Sequence, residues 1–177
     1  LGHAIWCARK LVGDEPFAIM LPDDVVLSKT PCLKQMVEAY NESGGNLVAV
    51  MDVPREHTNK YGILDIDKED GQMVSIKGLV EKPKPEDAPS TLSIIGRYIL
   101  QPEVFTHLSK FETGAGGEIQ LTDAMAKLMQ NWSPRAPNKL DELSPQALKL
   151  LSENEGAGKD RTEMLSGGYT MLAPGDS

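Results

Sequence analysis

The chain has 177 residues, with 18 Lys and Arg against 26 Asp and Glu, for a formal net charge of −8. That length builds one ordinary globular domain and not two comfortable ones. No apolar run approaches the ~18–20 residues of a membrane span, and the acidity speaks against a nucleic-acid surface, which presents clustered Lys and Arg.

Ala4, Ile5, Ala8, Leu11 and Val12 recur at helical spacing and predict a helix over residues 3–12, stopped by Gly13-Asp14-Glu15-Pro16. Phe17–Leu21 is a short continuous apolar run, which predicts a strand buried on both faces of a parallel sheet, ending abruptly at Pro22-Asp23-Asp24. Leu33, Met36, Val37 and Tyr40 give a second helix closed by Gly44-Gly45, and residues 46–53 a second buried strand. Strand, helix and strand in that order imply a βαβ unit, with a parallel pair and a right-handed crossover. Residues 62–66 and 73–80 flank a polar turn at 67–71 and read as a hairpin. A third apolar run, 93–100, precedes a helix opened by Pro102, and Ile119, Leu121, Ala124, Met125, Leu128 and Met129 mark a last helix. The expected fold is α/β, part of a doubly wound, mainly parallel sheet with an antiparallel hairpin piece.

The character changes after Trp132. Residues 133–138 are Pro-rich, 153–177 are rich in Gly, Ser and charge, and Leu140, Leu143, Leu148, Leu150 and Leu151 support one short helix at most. Residues 1–132 therefore read as the domain and 133–177 as a weakly packed or disordered tail. The sequence opens on Leu1 with no signal segment, as a chain cut from something longer would. Cys7 and Cys32 lack CxxC spacing and read as buried apolar residues of a reducing compartment, which places the protein in the cytoplasm.

Three motifs carry chemistry. Asp23 and Asp24 stand at the carboxyl end of a buried strand, where open α/β sheets gather ligands. A carboxylate there suits Mg²⁺, which takes oxygen ligands and bridges to phosphates; the alternative is a pair of acids opening a turn. Glu81-Lys82-Pro83-Lys84-Pro85 puts an acceptor for sugar hydroxyls beside a cation for a phosphate, held extended by the prolines, or is a solvated charged turn. Gly114-Ala115-Gly116-Gly117-Glu118 precedes a helix as anion loops do, yet it lacks their glycine patterns, and Glu118 repels a phosphate. It reads as cap and hinge, with Thr122 and Asp123 keeping polar contacts inside the helix. His3, His57 and His107 are scattered, no Ser or Cys nucleophile is supported, and Met20, Met36, Met125 and Met129 fall at core positions.

Six segments in order over residues 1–131 resemble the bacterial UTP–glucose-1-phosphate uridylyltransferases, of the sugar nucleotidyltransferase family. They are Leu1-Gly2-His3-Ala4, Leu21-Pro22-Asp23-Asp24, Lys60-Tyr61-Gly62-Ile63, Val80-Glu81-Lys82-Pro83-Lys84, Gly96-Arg97-Tyr98, and the eleven-residue string from Gly114 to Ala124. The resemblance implies that the phosphate of glucose 1-phosphate attacks the α-phosphate of UTP, giving UDP-glucose and pyrophosphate with no protein nucleophile. It implies Asp23 and Lys82 as the catalytic residues, Asp23 holding Mg²⁺ and Lys82 meeting the sugar phosphate. Gly62 would contact glucose through its backbone, Glu81 would accept its hydroxyls, Gly96 would let the chain approach the sugar, and Gly2 would edge the uracil pocket. Members of the family commonly self-associate, so a homo-oligomer is implied too. The family's Gly-rich triphosphate loop, a second metal-binding Asp and its neighbouring Lys have no counterpart in this sequence. The chain alone is therefore expected to be inactive, and base choice depends on residues it does not contain. Transfer of another sugar 1-phosphate, or a degenerate sugar-nucleotide-binding module, are the competing readings.

Overall fold

A computed structural model describes residues 1–70, 72–130 and 170–174. Helices α1 (Gly2–Cys7) and α2 (Arg9–Val12) lead into strand β1 (Phe17–Met20), then α3 (Cys32–Ser43), β2 (Leu47–Asp52) and a 3-10 helix at Arg55–Lys60. The hairpin β3 (Gly62–Asp70) and β4 (Met73–Glu81) follows, then β5 (Leu92–Leu100), α4 (Val104–Leu108), α5 (Leu121–Gln130) and β6 (Thr170–Pro174). The predicted helix over 3–12 is two pieces joined at Ala8, and β3 runs four residues past the predicted hairpin strand. Among the described residues, no helix is long and apolar enough to cross a membrane.

The sheet order is β1-β5-β2-β6-β4-β3, with β3 also touching β5. Here the βαβ expectation needs correction. Strands β1 and β2 do run in the same direction, but they are not paired: β5 lies between them, antiparallel to both. Among the described residues all pairings within β1–β5 are antiparallel, and the one parallel ladder joins β4 to β6. Apolar runs report burial, not strand direction, so the mainly parallel expectation fails for the described sheet while the α/β class holds. No strand was expected in the tail, yet Thr170–Pro174 pairs with both β2 and β4. The short helix expected among the tail leucines lies outside the described residues.

Both faces of the central strands are covered. Leu47 and Ala49 of β2, with Ile95 and Ile99 of β5, pack under Cys32, Leu33, Met36 and Tyr40 of α3. On the other face Val48, Val50, Ile94, Tyr98 and Leu100 meet Ile5, Val104, Leu108, Leu121, Met125 and Leu128 of the remaining helices. Two covered faces are why β2 and β5 read as continuous apolar runs. Strand β1 shares that reading in sequence and departs from it in space. It is an edge strand with alternating burial: Phe17 and Ile19 turn inward, while Met20 is 37% exposed, so Met20 is not a core residue. Phe17 stacks on Phe105 at 5.1 Å between centroids, which anchors its inner face.

Candidate functional site

Strand β5 brings the sequence motifs together. Its edge opposite β2 is shared: β1 pairs with residues 97–100, and β3 meets it at Ile63↔Ser93. The end of β1 and the start of β3 thus face one another across a short gap along β5. Within that gap β5 bulges. Val50 pairs with Ile94 and Val48 with Tyr98, so one residue of β2 opposes three of β5. Gly96 sits in the bulge at φ 66, a conformation glycine adopts without strain.

The loop after β1 is fitted to this bulge. Leu21 donates its amide to the Gly96 carbonyl at 2.9 Å. The Arg97 guanidinium donates to the carbonyls of Leu21 at 2.8 Å, Gly96 at 3.1 Å and Asp24, strapping residues 21–24 to the sheet. A Cβ on Gly96 would stand 2.6 Å from Asp24 Oδ2, so the glycine makes room for the carboxylate. Burial, and then the charge of Asp23, raise the Asp24 carboxyl above its ordinary value against a smaller opposing pull from Arg97. Asp24, not Asp23, therefore lies against the sheet; Asp23 is exposed beside it.

On the other side of the gap, Gly62 and Glu81 are directly opposite in the β3–β4 ladder. A Cβ on Gly62 would meet the Thr122 methyl at 2.9 Å and Glu81 Oε2 at 3.2 Å. Thr122 of α5 donates its hydroxyl to Glu81 Oε2 at 2.8 Å. The other oxygen, Oε1, faces Lys82 Nζ at 3.9 Å, and the Glu81 side chain is only 13% exposed. Thr122 and Asp123 were expected to keep their polar contacts within the helix; Thr122 instead reaches across to β4. Lys82 also departs from the extended geometry expected before a proline. Its φ is 48, a left-handed turn that a lysine adopts only under strain, while its amide donates to the Tyr61 carbonyl at 2.9 Å. Arg55 secures the following loop through the carbonyls of Pro85 and Ala88, both at 3.0 Å.

Tyr98 links the two sides. Burial pushes its phenol far above the ordinary range, with the Glu81 and Asp24 carboxylates adding to the push. Both acids thus act on one neutral hydroxyl. Asp23 and Asp24 with Gly96, and Glu81 and Lys82 with Gly62, thus form two groups on either side of one gap along β5. Gly2 does not join them: it packs against Ile119 and Leu108, and its amide donates to the Ile119 carbonyl at 2.9 Å. The Gly114–Glu118 segment is a turn closed by the Gly114 amide on the Glu118 carbonyl at 2.8 Å, with Gly116 and Gly117 at positive φ. Cys32 is buried as expected, whereas Cys7 is exposed on the helix surface, its sulfur 3.9 Å from His3 Nε2.

Residues 1–141 match the model of the nucleotidyl transferase family. The chain belongs to that family. It is 66% identical over 125 residues to a UTP–glucose-1-phosphate uridylyltransferase of Komagataeibacter xylinus, covering 71% of this chain and 44% of that protein. The enzyme of the same name from Bacillus subtilis strain 168 is 49% identical over 128 residues, again 72% of this chain against 44% of its own length. A crystal structure of UDP-glucose pyrophosphorylase complexed with UDP-glucose superposes with a TM-score of 0.72 at 42% identity, covering 75% of this chain and 51% of that one. The chain thus spans about half the length of the relatives it matches.

The candidate site has oxygen donors of a kind that suits a divalent cation. Asp23 and Asp24 are adjacent carboxylates whose mutual repulsion a cation would relieve, and both offer oxygen only. Mg²⁺ is held in this way by one or two carboxylates, its other positions going to water and phosphate. Among the described residues no three His, Cys, Asp or Glu side chains converge. Within the described residues Asp23 and Asp24 therefore form an open carboxylate edge.

Proposed function

We propose that this chain carries the sugar-phosphate side of a UTP–glucose-1-phosphate uridylyltransferase site. The observation that carries the reading is the convergence of Asp24 with Gly96, and of Glu81 with Gly62, on the two sides of one gap along β5. In the reaction, a phosphate oxygen of glucose 1-phosphate bonds to the α-phosphorus of UTP, and the bond from that phosphorus to pyrophosphate breaks. Such a transfer needs no protein nucleophile; it needs positioning and neutralised charge.

Each residue has a task suited to its chemistry. Glu81 accepts hydrogen bonds from the sugar hydroxyls through Oε1. Lys82, half-exposed beside it, carries the charge that meets the sugar phosphate. Gly62 and Gly96 act through their neighbours, leaving space for Thr122 and Glu81 and for Asp24 and Leu21 respectively, and Gly2, whose amide donates to the Ile119 carbonyl, is assigned to the uracil edge by the family resemblance alone. Asp23, with Asp24 behind it, would hold Mg²⁺, which would supply positive charge between the phosphates. The natural setting is the cytoplasm, where UTP and sugar phosphates are available, and the intact protein is expected to self-associate.

Calorimetric titration separates the sugar-phosphate end from the base. Glu81→Gln and Lys82→Met are expected to weaken UDP-glucose binding by roughly tenfold or more, the worth of a hydrogen bond to a charged group, and to leave UMP binding almost unchanged. Equal losses for the two ligands would reduce the pair to a support for the fold.

A further inference from the structure

We propose that Thr122 is a positioning residue that turns Glu81 into a single-oxygen reader of the sugar. The inference rests on the proposed sugar site and adds a residue to it from a helix outside the sheet. Helix α5 buries Leu121, Ala124, Met125 and Leu128, and Thr122 is the polar interruption of that buried face, 8% exposed. A hydroxyl has one proton to donate, and this one goes to Glu81 Oε2 at 2.8 Å. The Thr122 methyl fills the space above Gly62, 2.9 Å from where a Cβ would stand, so the side chain is held by packing as well as by its hydrogen bond.

The consequence falls on Glu81. With Oε2 already accepting from Thr122, Oε1 is the more open acceptor for a ligand, and Lys82 Nζ at 3.9 Å lies beyond hydrogen-bonding distance of it. A glutamate has three rotatable side-chain bonds, whose freedom would otherwise be lost on binding. Thr122 removes that freedom beforehand, which favours a polyhydroxylated ring whose hydroxyl arrives from one direction.

The full chain tests this with four variants and two ligands, UDP-glucose and UDP, titrated calorimetrically. Thr122→Val keeps the volume and removes the hydroxyl; it is expected to weaken UDP-glucose by roughly tenfold and to leave UDP alone. Thr122→Ser restores the hydroxyl and is expected to recover UDP-glucose binding. Adding Thr122→Val to Glu81→Gln is expected to cost little further, because the two act through one contact. If Thr122→Val fails to fold, Thr122→Ala against Thr122→Ser makes the same comparison, since those variants differ by the hydroxyl alone. An unchanged UDP-glucose affinity without the hydroxyl, or equal losses for both ligands, overturns the positioning role while the sugar site stands. Absence of any preference for UDP-glucose over UDP in the unmodified chain overturns the sugar site itself, and the role of Thr122 with it.

Discussion

A Cβ on Gly96 would stand 2.6 Å from Asp24 Oδ2 and 3.0 Å from the Leu21 Cβ, so the bulge of β5 and the loop after β1 are fitted together with no side chain between them. Gly96→Ala therefore meets two obstacles, a contact with backbone-anchored neighbours and a φ of 66 that alanine resists. Its expected cost is about 1–3 kcal/mol, as for other overpacked or strained positions. Urea denaturation of the two proteins measures it; an unchanged midpoint would mean that the loop simply moves aside.

Asp24 links stability to pH with a definite sign. Its folded-state pKa is raised above the ordinary value of 3.8, first by burial and then by Asp23. Ionising Asp24 therefore costs the folded chain more than the unfolded one, and the stability held below 3.8 is lost as pH rises through the folded value. Asp24→Asn is expected to melt higher than the wild type at neutral pH, with the gap closing as pH falls toward 3.8. Melting curves at a series of pH values follow that gap. A constant difference would place the effect in packing and not in charge.

Lys82 sits in a left-handed conformation that glycine occupies freely. Lys82→Gly relieves that strain, offset in part by the flexibility a glycine adds to the unfolded chain, so a net stabilisation of up to about 1 kcal/mol is expected. The same variant loses the ammonium group and is expected to bind UDP-glucose more weakly. A thermal melt and a binding titration should move in opposite directions; a fall in both would show that the lysine serves the fold.

Asp23 is the exposed member of the acidic pair, and no backbone contact depends on its charge among the bonds that strap residues 21–24. Asp23→Asn is accordingly expected to fold as the wild type does and to lose the Mg²⁺ dependence of UDP-glucose binding. Titrations with Mg²⁺ and with a chelator give the comparison. Retained metal dependence would shift the assignment to Asp24.

The sequence made the order of elements and the identity of the site motifs readable, because both are written in local patterns. Continuous apolar runs mark β2 and β5, and Asp23 and Glu81 stand out at strand ends, whereas Gly62 and Gly96 enter only through the family resemblance. Pairing was not readable. Burial on both faces makes an antiparallel central strand look the same as a parallel one, so β5 entering between β1 and β2 left no trace in periodicity. The edge position of β1 was hidden for a similar reason, since Ala18 and Met20 are apolar whether covered or not. Thr122 did leave a signal. A hydroxyl on the buried stripe of α5 needs a partner, and only the packing of α5 on β4 supplies Glu81 as that partner. Which of Asp23 and Asp24 lies against the sheet is not written locally, because the bulge at Gly96 decides it.

The place of β5 between β1 and β2 also dictates an order of assembly. The β3–β4 hairpin closes between neighbours in the sequence, as fast local events do, whereas Phe17 must find Leu100 across more than half of residues 1–132. Among β1–β5, whose widest separation this is, strand β1 is thus the piece expected to dock last and to open first, and it brings Asp23 and Asp24 with it. Its amides should exchange with deuterium ahead of those of β2 and β5. A ligand that engages the acidic pair should slow that exchange, so the carboxylate side of the gap would be a clasp fastened by what it holds.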